Sequence, residues 1–192
     1  LHNNRHSFPT RRSSDLKLPL PNWLVNRIIA RAQRTPYIHL DGYMNRWWLV
    51  PYNRTGYAAR VHEILSSDRE RDLHDHPWPY ISVVLRGGYF EHTLREVPGR
   101  ASIPVRRWYG PGSVLVRPAN SFHRLELWKR PDGTEEPCTT LFITGRKRRG
   151  TDPAHSCWGF LVGDVYVPAD VYLGEAYIHT DYSGSRHGQV AG

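Results

Sequence analysis

Three histidines stand where metal ligands would be expected. His74 and His76 flank Asp75 in the segment Leu-His-Asp-His-Pro of residues 73–77. If this segment is a β-strand, both histidine side chains lie on the same face, because strand side chains alternate with a period of two. Two imidazoles side by side are half of a metal site. A strand-like segment and a proline turn lead to a further histidine, His123, which would add to it.

The rest of the chain predicts an all-β domain that positions these histidines. Residues 22–34 predict one short helix with an apolar stripe at helical spacing, which Pro36 ends. Short strands follow, with Gly or Pro between most of them, as is typical of an antiparallel sandwich or barrel. The predicted strands span residues 43–50, 57–65, 73–85, 89–94, 105–109, 113–117, 122–127, 139–144, 158–162 and 164–167.

Both histidine segments resemble the two sequence motifs of the cupin superfamily. The first motif has His-x-His and then a glycine turn, and the second has Gly, five residues, Pro, a short turn and His. The matching positions are His74, His76, Gly87, Gly88, Gly112, Pro118 and His123. The resemblance implies a double-stranded β-helix, the cupin jelly-roll barrel, here with a short N-terminal helix and a C-terminal extension. It also implies a divalent metal, iron before zinc, manganese or nickel, held by His74, His76 and His123.

The sequence departs from the cupin motif at one ligand position. The motif's glutamate would fall at Tyr80 or Ile81, and neither side chain can replace it. If a two-residue turn at 87–88 joins two paired strands, Glu91 lies on the inner side of the barrel together with the histidines, whereas a bulge would reverse it. We therefore consider Glu91 as a fourth metal ligand or an acid-base group. The alternative is a site of three histidines without a carboxylate, as in the thiol dioxygenases that the first motif also resembles.

Three functions are compatible with these features. The first is an iron(II)-dependent dioxygenase acting on a small molecule, since three protein ligands leave metal positions open. The second is a cupin isomerase or epimerase for a sugar, which needs an acid and a base in the barrel. The third is a non-enzymatic structural or nucleic-acid-binding protein associated with phages, because residues 71–78, 141–146 and 158–160 resemble segments of small uncharacterised cupin-like proteins from phages and prophages.

Composition limits the partners of the chain. The 192 residues carry a formal net charge of +8, and Arg146, Lys147, Arg148 and Arg149 form a basic run. Such a run suits single-stranded nucleic acid, but it is more often a solvated loop. No apolar run approaches the 18 residues of a membrane span. With only two cysteines, nothing requires an oxidising compartment, and we expect a cytoplasmic protein, with pairing of edge strands in a homodimer as an option.

The domain boundaries follow from the same patterns. Residues 1–16 resemble translated sequencing-adapter DNA and are expected to be an artefactual leader. We expect a helical segment over residues 17–36, the cupin-like barrel with its C-terminal extension over 37–182, and a flexible tail over 183–192. Asp75 lies between the two ligands of the first motif and is expected to face away from the metal. Its carboxylate would support the ligands or stabilise the turn. His62 shares its strand parity with inward-facing residues, and we interpret it as a structural histidine.

Overall fold

The computed structural model describes residues 16–52, 55–70, 72–148 and 154–174, which are dominated by β-strands. Two helices and eleven strands follow one another along these residues. The helices are α1 (Asn22–Ala32) and α2 (Ala169–Leu173). The strands are β1 (Met44–Val50), β2 (Ala58–Ile64), β3 (Leu73–His74), β4 (Tyr80–Arg86), β5 (Tyr89–Val97), β6 (Arg100–Tyr109), β7 (Val114–Arg117), β8 (Arg124–Leu127), β9 (Cys138–Thr144), β10 (Gly159–Val162) and β11 (Val165–Pro168).

The strands form two antiparallel sheets. Sheet A has the strand order β1-β2-β9-β4-β7. Sheet B is built from the triplets β11-β10-β3 and β6-β5-β8. The two triplets meet where the backbones of His74 and His123 exchange two hydrogen bonds, each 2.9 Å long. Sheet B therefore runs β11-β10-β3-β8-β5-β6.

The order of the strands is that of a jelly roll. Strands β2, β4, β7 and β9 lie in sheet A, whereas β3, β5, β6 and β8 lie in sheet B, so the chain passes repeatedly from one sheet to the other. Eight strands divided in this way between two sheets characterise the jelly rolls to which cupins belong. The predicted fold class, a double-stranded β-helix with a short N-terminal helix and a C-terminal extension, is confirmed.

One predicted strand and one predicted hairpin are wrong. Residues 73–85 are not a single strand, because β3 ends at His74 in sheet B and β4 begins at Tyr80 in sheet A. Strands β4 and β5 also lie in different sheets, so Gly87 and Gly88 carry the chain across the edge of the barrel. Neither glycine has room for a side chain: a Cβ would lie 2.3 Å from a carbonyl oxygen at Gly87 and 2.4 Å from a tryptophan ring at Gly88.

The apolar core fills the space between the sheets, and α1 covers the outside of sheet A. Inward-facing side chains from both sheets form the main cluster: Met44, Ile64, Val84, Tyr89, Tyr109, Leu115, Leu127 and Cys138. On α1, Val25 and the partly buried Ile28 pack against Val83 and Leu85 of β4. The predicted apolar stripe of this helix is therefore present, although the helix ends at Ala32.

The C-terminal extension packs against sheet B. Trp158 and Phe160 form a small core with Ala169 of α2, and Tyr172 and Leu173 lie against it. The extension therefore packs on sheet B within the described residues, which end at residue 174.

Most of the predicted leader, residues 1–15, and all of the predicted tail, residues 183–192, lie outside the described residues. The carbonyl oxygen of Leu16 accepts a hydrogen bond from the backbone N–H of Val114. Within the described ranges, neither helix has the length and apolar character needed to cross a membrane.

Candidate metal centre

Two of the three predicted ligands are direct partners on neighbouring strands. His74 ends β3, and His123 immediately precedes β8. Their backbones exchange two hydrogen bonds, and residues paired in this way place their side chains on the same face of the sheet. The centroids of the two imidazole rings are accordingly 5.0 Å apart. The junction between the two halves of sheet B is therefore also the place where two imidazoles meet.

The third predicted ligand, His76, comes from the loop between β3 and β4. Its backbone N–H donates to the carbonyl oxygen of Ala119 at 3.0 Å, which fixes the loop over the turn before His123. The Nε2 atoms of His76 and His123 are 2.9 Å apart. One ligand atom from each of His74, His76 and His123 lies within 4.8 Å of the other two, and we name these residues the histidine cluster. The cluster fits a divalent transition metal, whose bonds to imidazole are about 2.1 Å long.

Glu91 lies behind the histidine cluster rather than within it. Its Oε1 atom is 3.1 Å from Nδ1 of His123, while Nε2 of the same ring faces His76. A carboxylate that accepts the Nδ1–H of a histidine orients the ring and leaves Nε2 free to bind a metal. Glu91 is not part of the group that shares the 4.8 Å geometry, so its role as a fourth ligand or acid-base group stays a prediction.

A buried ion pair holds the Glu91 carboxylate in place. Arg117 donates to it from Nη2 at 2.5 Å and from Nε at 3.3 Å. Only 2% of the Glu91 side chain and 15% of the Arg117 side chain are exposed. Burial alone would raise the pKa of Glu91, but the hydrogen bonds and charges of His123 and Arg117 outweigh burial and lower it. Glu91 therefore remains ionised and continues to accept from His123.

Asp68 lies near His74 but too far away for a hydrogen bond to its ring. One of its oxygens, Oδ2, is 3.9 Å from Nδ1 of His74 and accepts the backbone N–H of Leu125 at 2.7 Å. The hydroxyl of Tyr43 donates to the other oxygen. The sequence does not indicate Asp68, because this residue lies in a loop before the first motif and its spacing is typical of no known site.

Asp75 connects the loop between the ligands to the C-terminal extension. Its carboxylate accepts the backbone N–H of Gly159 at 2.8 Å and Nη2 of Arg148 at 2.6 Å. Arg148 in turn donates from Nε to the carbonyl oxygen of Cys157 at 2.6 Å. These contacts agree with the expected stabilising role of Asp75.

The basic run is partly occupied by contacts within the chain. Arg148 binds Asp75 as described, and Nε of Arg146 donates to the carbonyl oxygen of Thr55 at 2.9 Å. Lys147 is exposed, and Arg149 lies outside the described residues. Nucleic-acid binding through this run therefore stays a prediction, and two of its three described cations already have protein partners.

A cavity of about 50 Å³ adjoins the histidine cluster. This volume has room for about three or four water molecules. The cluster lies at its wall together with Tyr43, Met44, His62, Ile64, Tyr80, Ser82, Tyr89, Leu125, Thr140 and Phe142. The Tyr80 hydroxyl is 3.2 Å from Nδ1 of His123, and burial raises its pKa well above 10. The Tyr80 hydroxyl therefore keeps its proton at neutral pH.

Acid should destabilise the metal-free protein. Burial lowers the pKa of His74 from 6.5 to about 4, against the opposing charge of Asp68, and burial also lowers the pKa of His76 and His62. Between pH 4 and pH 6.5 the unfolded chain binds protons that the folded chain excludes. The free energy of unfolding therefore rises with pH over this range. The His74 shift alone corresponds to about 3 kcal/mol.

The measurement is the free energy of unfolding from urea titrations of the metal-free protein at several pH values. We expect full stability above pH 6.5, with a progressive loss as the pH falls towards 4. A constant free energy of unfolding between pH 7 and pH 5 would contradict buried, neutral histidines.

Comparisons with known proteins add structural matches of low similarity. No family model and no curated protein matches the sequence. The hydroxypropylphosphonic acid epoxidase from S. wedmorenis is 13% identical, with a TM-score of 0.44, over 59% of this chain and 56% of its own. A putative mannose-6-phosphate isomerase from Ralstonia eutropha JMP134 is 21% identical, with a TM-score of 0.40, over 58% of this chain and 91% of its own. For KdgF from Halomonas sp. the values are 16%, 0.38, 57% and 84%.

The match to the epoxidase spans little more than half the length of that protein. Because these identities and TM-scores are low, the assignment of the jelly-roll fold rests on the strand order described above. The histidine cluster is the feature that bears on function.

Proposed function

We propose that this protein is an iron(II)-dependent dioxygenase that acts on a small molecule bound in the cavity. The observation that carries the proposal is the convergence of three histidine nitrogens within 4.8 Å at the wall of that cavity. Imidazole ligands suit iron(II), and three protein ligands leave coordination positions for other molecules. Iron bound there would supply the redox chemistry for O₂ activation. Both oxygen atoms enter the product of a dioxygenase and the substrate supplies all four electrons, so no separate reductant is needed.

The residues of the chain divide the remaining work. His74, His76 and His123 would bind the ion, while Glu91 orients the His123 ring from behind and the Asp68 carboxylate places a negative charge 3.9 Å from the His74 ring. Apolar and aromatic side chains line much of the cavity and limit its water content. This arrangement resembles other catalytic metal sites, in which carboxylates outside the ligand set fix the histidines.

The isomerase or epimerase alternative needs a free acid and a free base next to the substrate. None of the described residues that line the cavity is an Asp or a Glu. The Glu91 carboxylate, which hydrogen-bonds His123 next to the cavity, is held by Arg117 as well. This arrangement favours redox chemistry at the metal over proton transfer by a carboxylate.

The test uses nitric oxide, a stable analogue of O₂, and needs no knowledge of the substrate. The protein is loaded anaerobically with iron(II), exposed to nitric oxide and measured by electron paramagnetic resonance and elemental analysis. We expect about one iron per chain and a signal of the iron–nitrosyl complex with spin 3/2. His92→Ala, a histidine change outside the cavity, should keep both, and His76→Ala should lose both. Iron uptake without the nitrosyl signal, or no iron uptake by the wild type, would contradict the dioxygenase.

Other expectations stay predictions beside this proposal. They are the small-molecule substrate, the homodimer, the cytoplasmic location and the resemblance to phage proteins.

A further inference from the structure

His62 lies on the inner face of sheet A, and the Nε2 atom of its ring is available to a ligand. It is in the middle of β2, paired with Arg46 on β1 and with Thr140 on β9. Only 5% of the residue is exposed, and it lines the same cavity as the histidine cluster. Its ring stacks on Phe142, with the centroids 4.9 Å apart and the planes 25° from parallel. The stacking fixes the plane of the ring.

The Nε2 atom of His62 is buried and makes no hydrogen bond. Leaving a buried polar atom without a partner destabilises a protein, so such atoms are rare and often mark a place where a ligand binds. Burial, with the charges of Arg60 and Arg46, lowers the pKa of His62 well below 6.5. The ring is thus neutral at physiological pH. A neutral imidazole offers Nε2 as either a donor or an acceptor.

The charge of the metal site indicates which group of a ligand would bind the ion. Neutral imidazoles bring no negative charge to a divalent ion, and the Glu91 carboxylate is balanced by Arg117. Asp68, close to His74, offsets one of the two positive charges. A buried positive charge favours an anionic oxygen ligand. The cavity has about 50 Å³ of space, which suits a short ligand.

We propose that His62 is a second anchoring point of the cavity, which hydrogen-bonds the distal oxygen of a small hydroxy or oxo acid whose carboxylate binds the ion at the histidine cluster. This inference rests on the proposed function, because it requires a metal ion at the histidine cluster. It adds the class of substrate and the residue that recognises this substrate. His62 is a positioning residue that acts on the substrate from the side of sheet A. The proposal differs from the interpretation of His62 as a structural histidine, and the experiment below distinguishes the two.

The experiment compares two probes that differ by one hydroxyl group, glycolate and acetate. Cobalt(II)-loaded protein is titrated with each probe and followed by its visible absorption. The quantity of interest is the ratio of the two dissociation constants, because it cancels effects on the metal itself. We expect His62→Phe to reduce the preference for glycolate by about tenfold, the loss typical of one buried hydrogen bond. His62→Gln, which keeps a hydrogen-bonding side chain, should restore part of it, and the matched control His92→Phe should leave it unchanged.

Thermal unfolding separates a binding role from a structural one. Because phenylalanine removes an unpaired polar atom, His62→Phe should melt no lower than the wild type. An equal preference ratio in the wild type and His62→Phe would overturn the inference, as would a wild type that does not bind glycolate. Cobalt content distinguishes the two levels of failure. A wild type without bound cobalt contradicts the proposed function, whereas normal cobalt with an unchanged ratio contradicts the role of His62 alone.

Discussion

Replacing Arg117 by methionine should lower the free energy of unfolding by about 3–5 kcal/mol, the range observed when one member of a buried ion pair is removed. The Glu91 carboxylate is 98% buried and receives two hydrogen bonds from Arg117. Without the guanidinium, that charge has only His123 as a polar partner of comparable strength. The measurement is urea denaturation of the metal-free protein at pH 7, followed by tryptophan fluorescence.

The matched control for this change is the double variant Glu91→Gln/Arg117→Met, in which no buried charge is left unbalanced. It should recover most of the lost stability, because removing both charges of a buried pair is often close to neutral. A loss below about 1 kcal/mol in Arg117→Met, the range of an exposed pair, would show that water screens Glu91 in solution. The support that the carboxylate gives to His123 would then be weak.

Replacing His76 by alanine should weaken divalent metal binding by at least about 100-fold. Loss of a residue that only supports a ligand already costs 10–100-fold in affinity, and His76 is itself one of the three residues that converge. Its place in a loop makes the change compatible with an intact barrel, which circular dichroism will verify. Affinity is measured by competition with a chromophoric chelator. His92→Ala should bind as the wild type does, and equal affinities for the wild type and His76→Ala would exclude His76 as a ligand.

The all-β fold was predictable because its signals are local. Glycine and proline separate short apolar strands, and residues 22–34 have a helical stripe. The boundaries of most strands are within a few residues of those predicted. The error at residues 73–85 has a physical cause: a strand that changes sheets in a jelly roll has the same alternation on both sides of the break. Pattern alone therefore does not reveal that the chain crosses over between His74 and Tyr80.

The position of Glu91 was predicted correctly for a reason that does not hold. The parity argument assumed a hairpin at Gly87 and Gly88, yet β4 and β5 lie in different sheets. Glu91 nevertheless faces inwards, since it is opposite Leu125 on β8 and is almost completely buried. Sequence parity thus located Glu91 inside the barrel, but it did not reveal that Arg117 would form an ion pair with its carboxylate.

The roles of three supporting residues could not be predicted because they depend on contacts distant in sequence, although strand parity did indicate that His62 faces inwards. Asp68 reaches His74 from a loop, Arg117 reaches Glu91 from β7, and His62 faces the cavity from β2. Each of these residue types is more often a surface charge or a satisfied core histidine, and only the folded barrel distinguishes these cases.

The most direct measurement of the central claim is anomalous X-ray diffraction at the iron absorption edge from crystals of the iron-loaded protein. We predict one anomalous peak per chain, about 2.1 Å from a ring nitrogen of each of His74, His76 and His123. No peak, or a peak held by other side chains while these rings point away from one another, would contradict a metal centre built from these histidines.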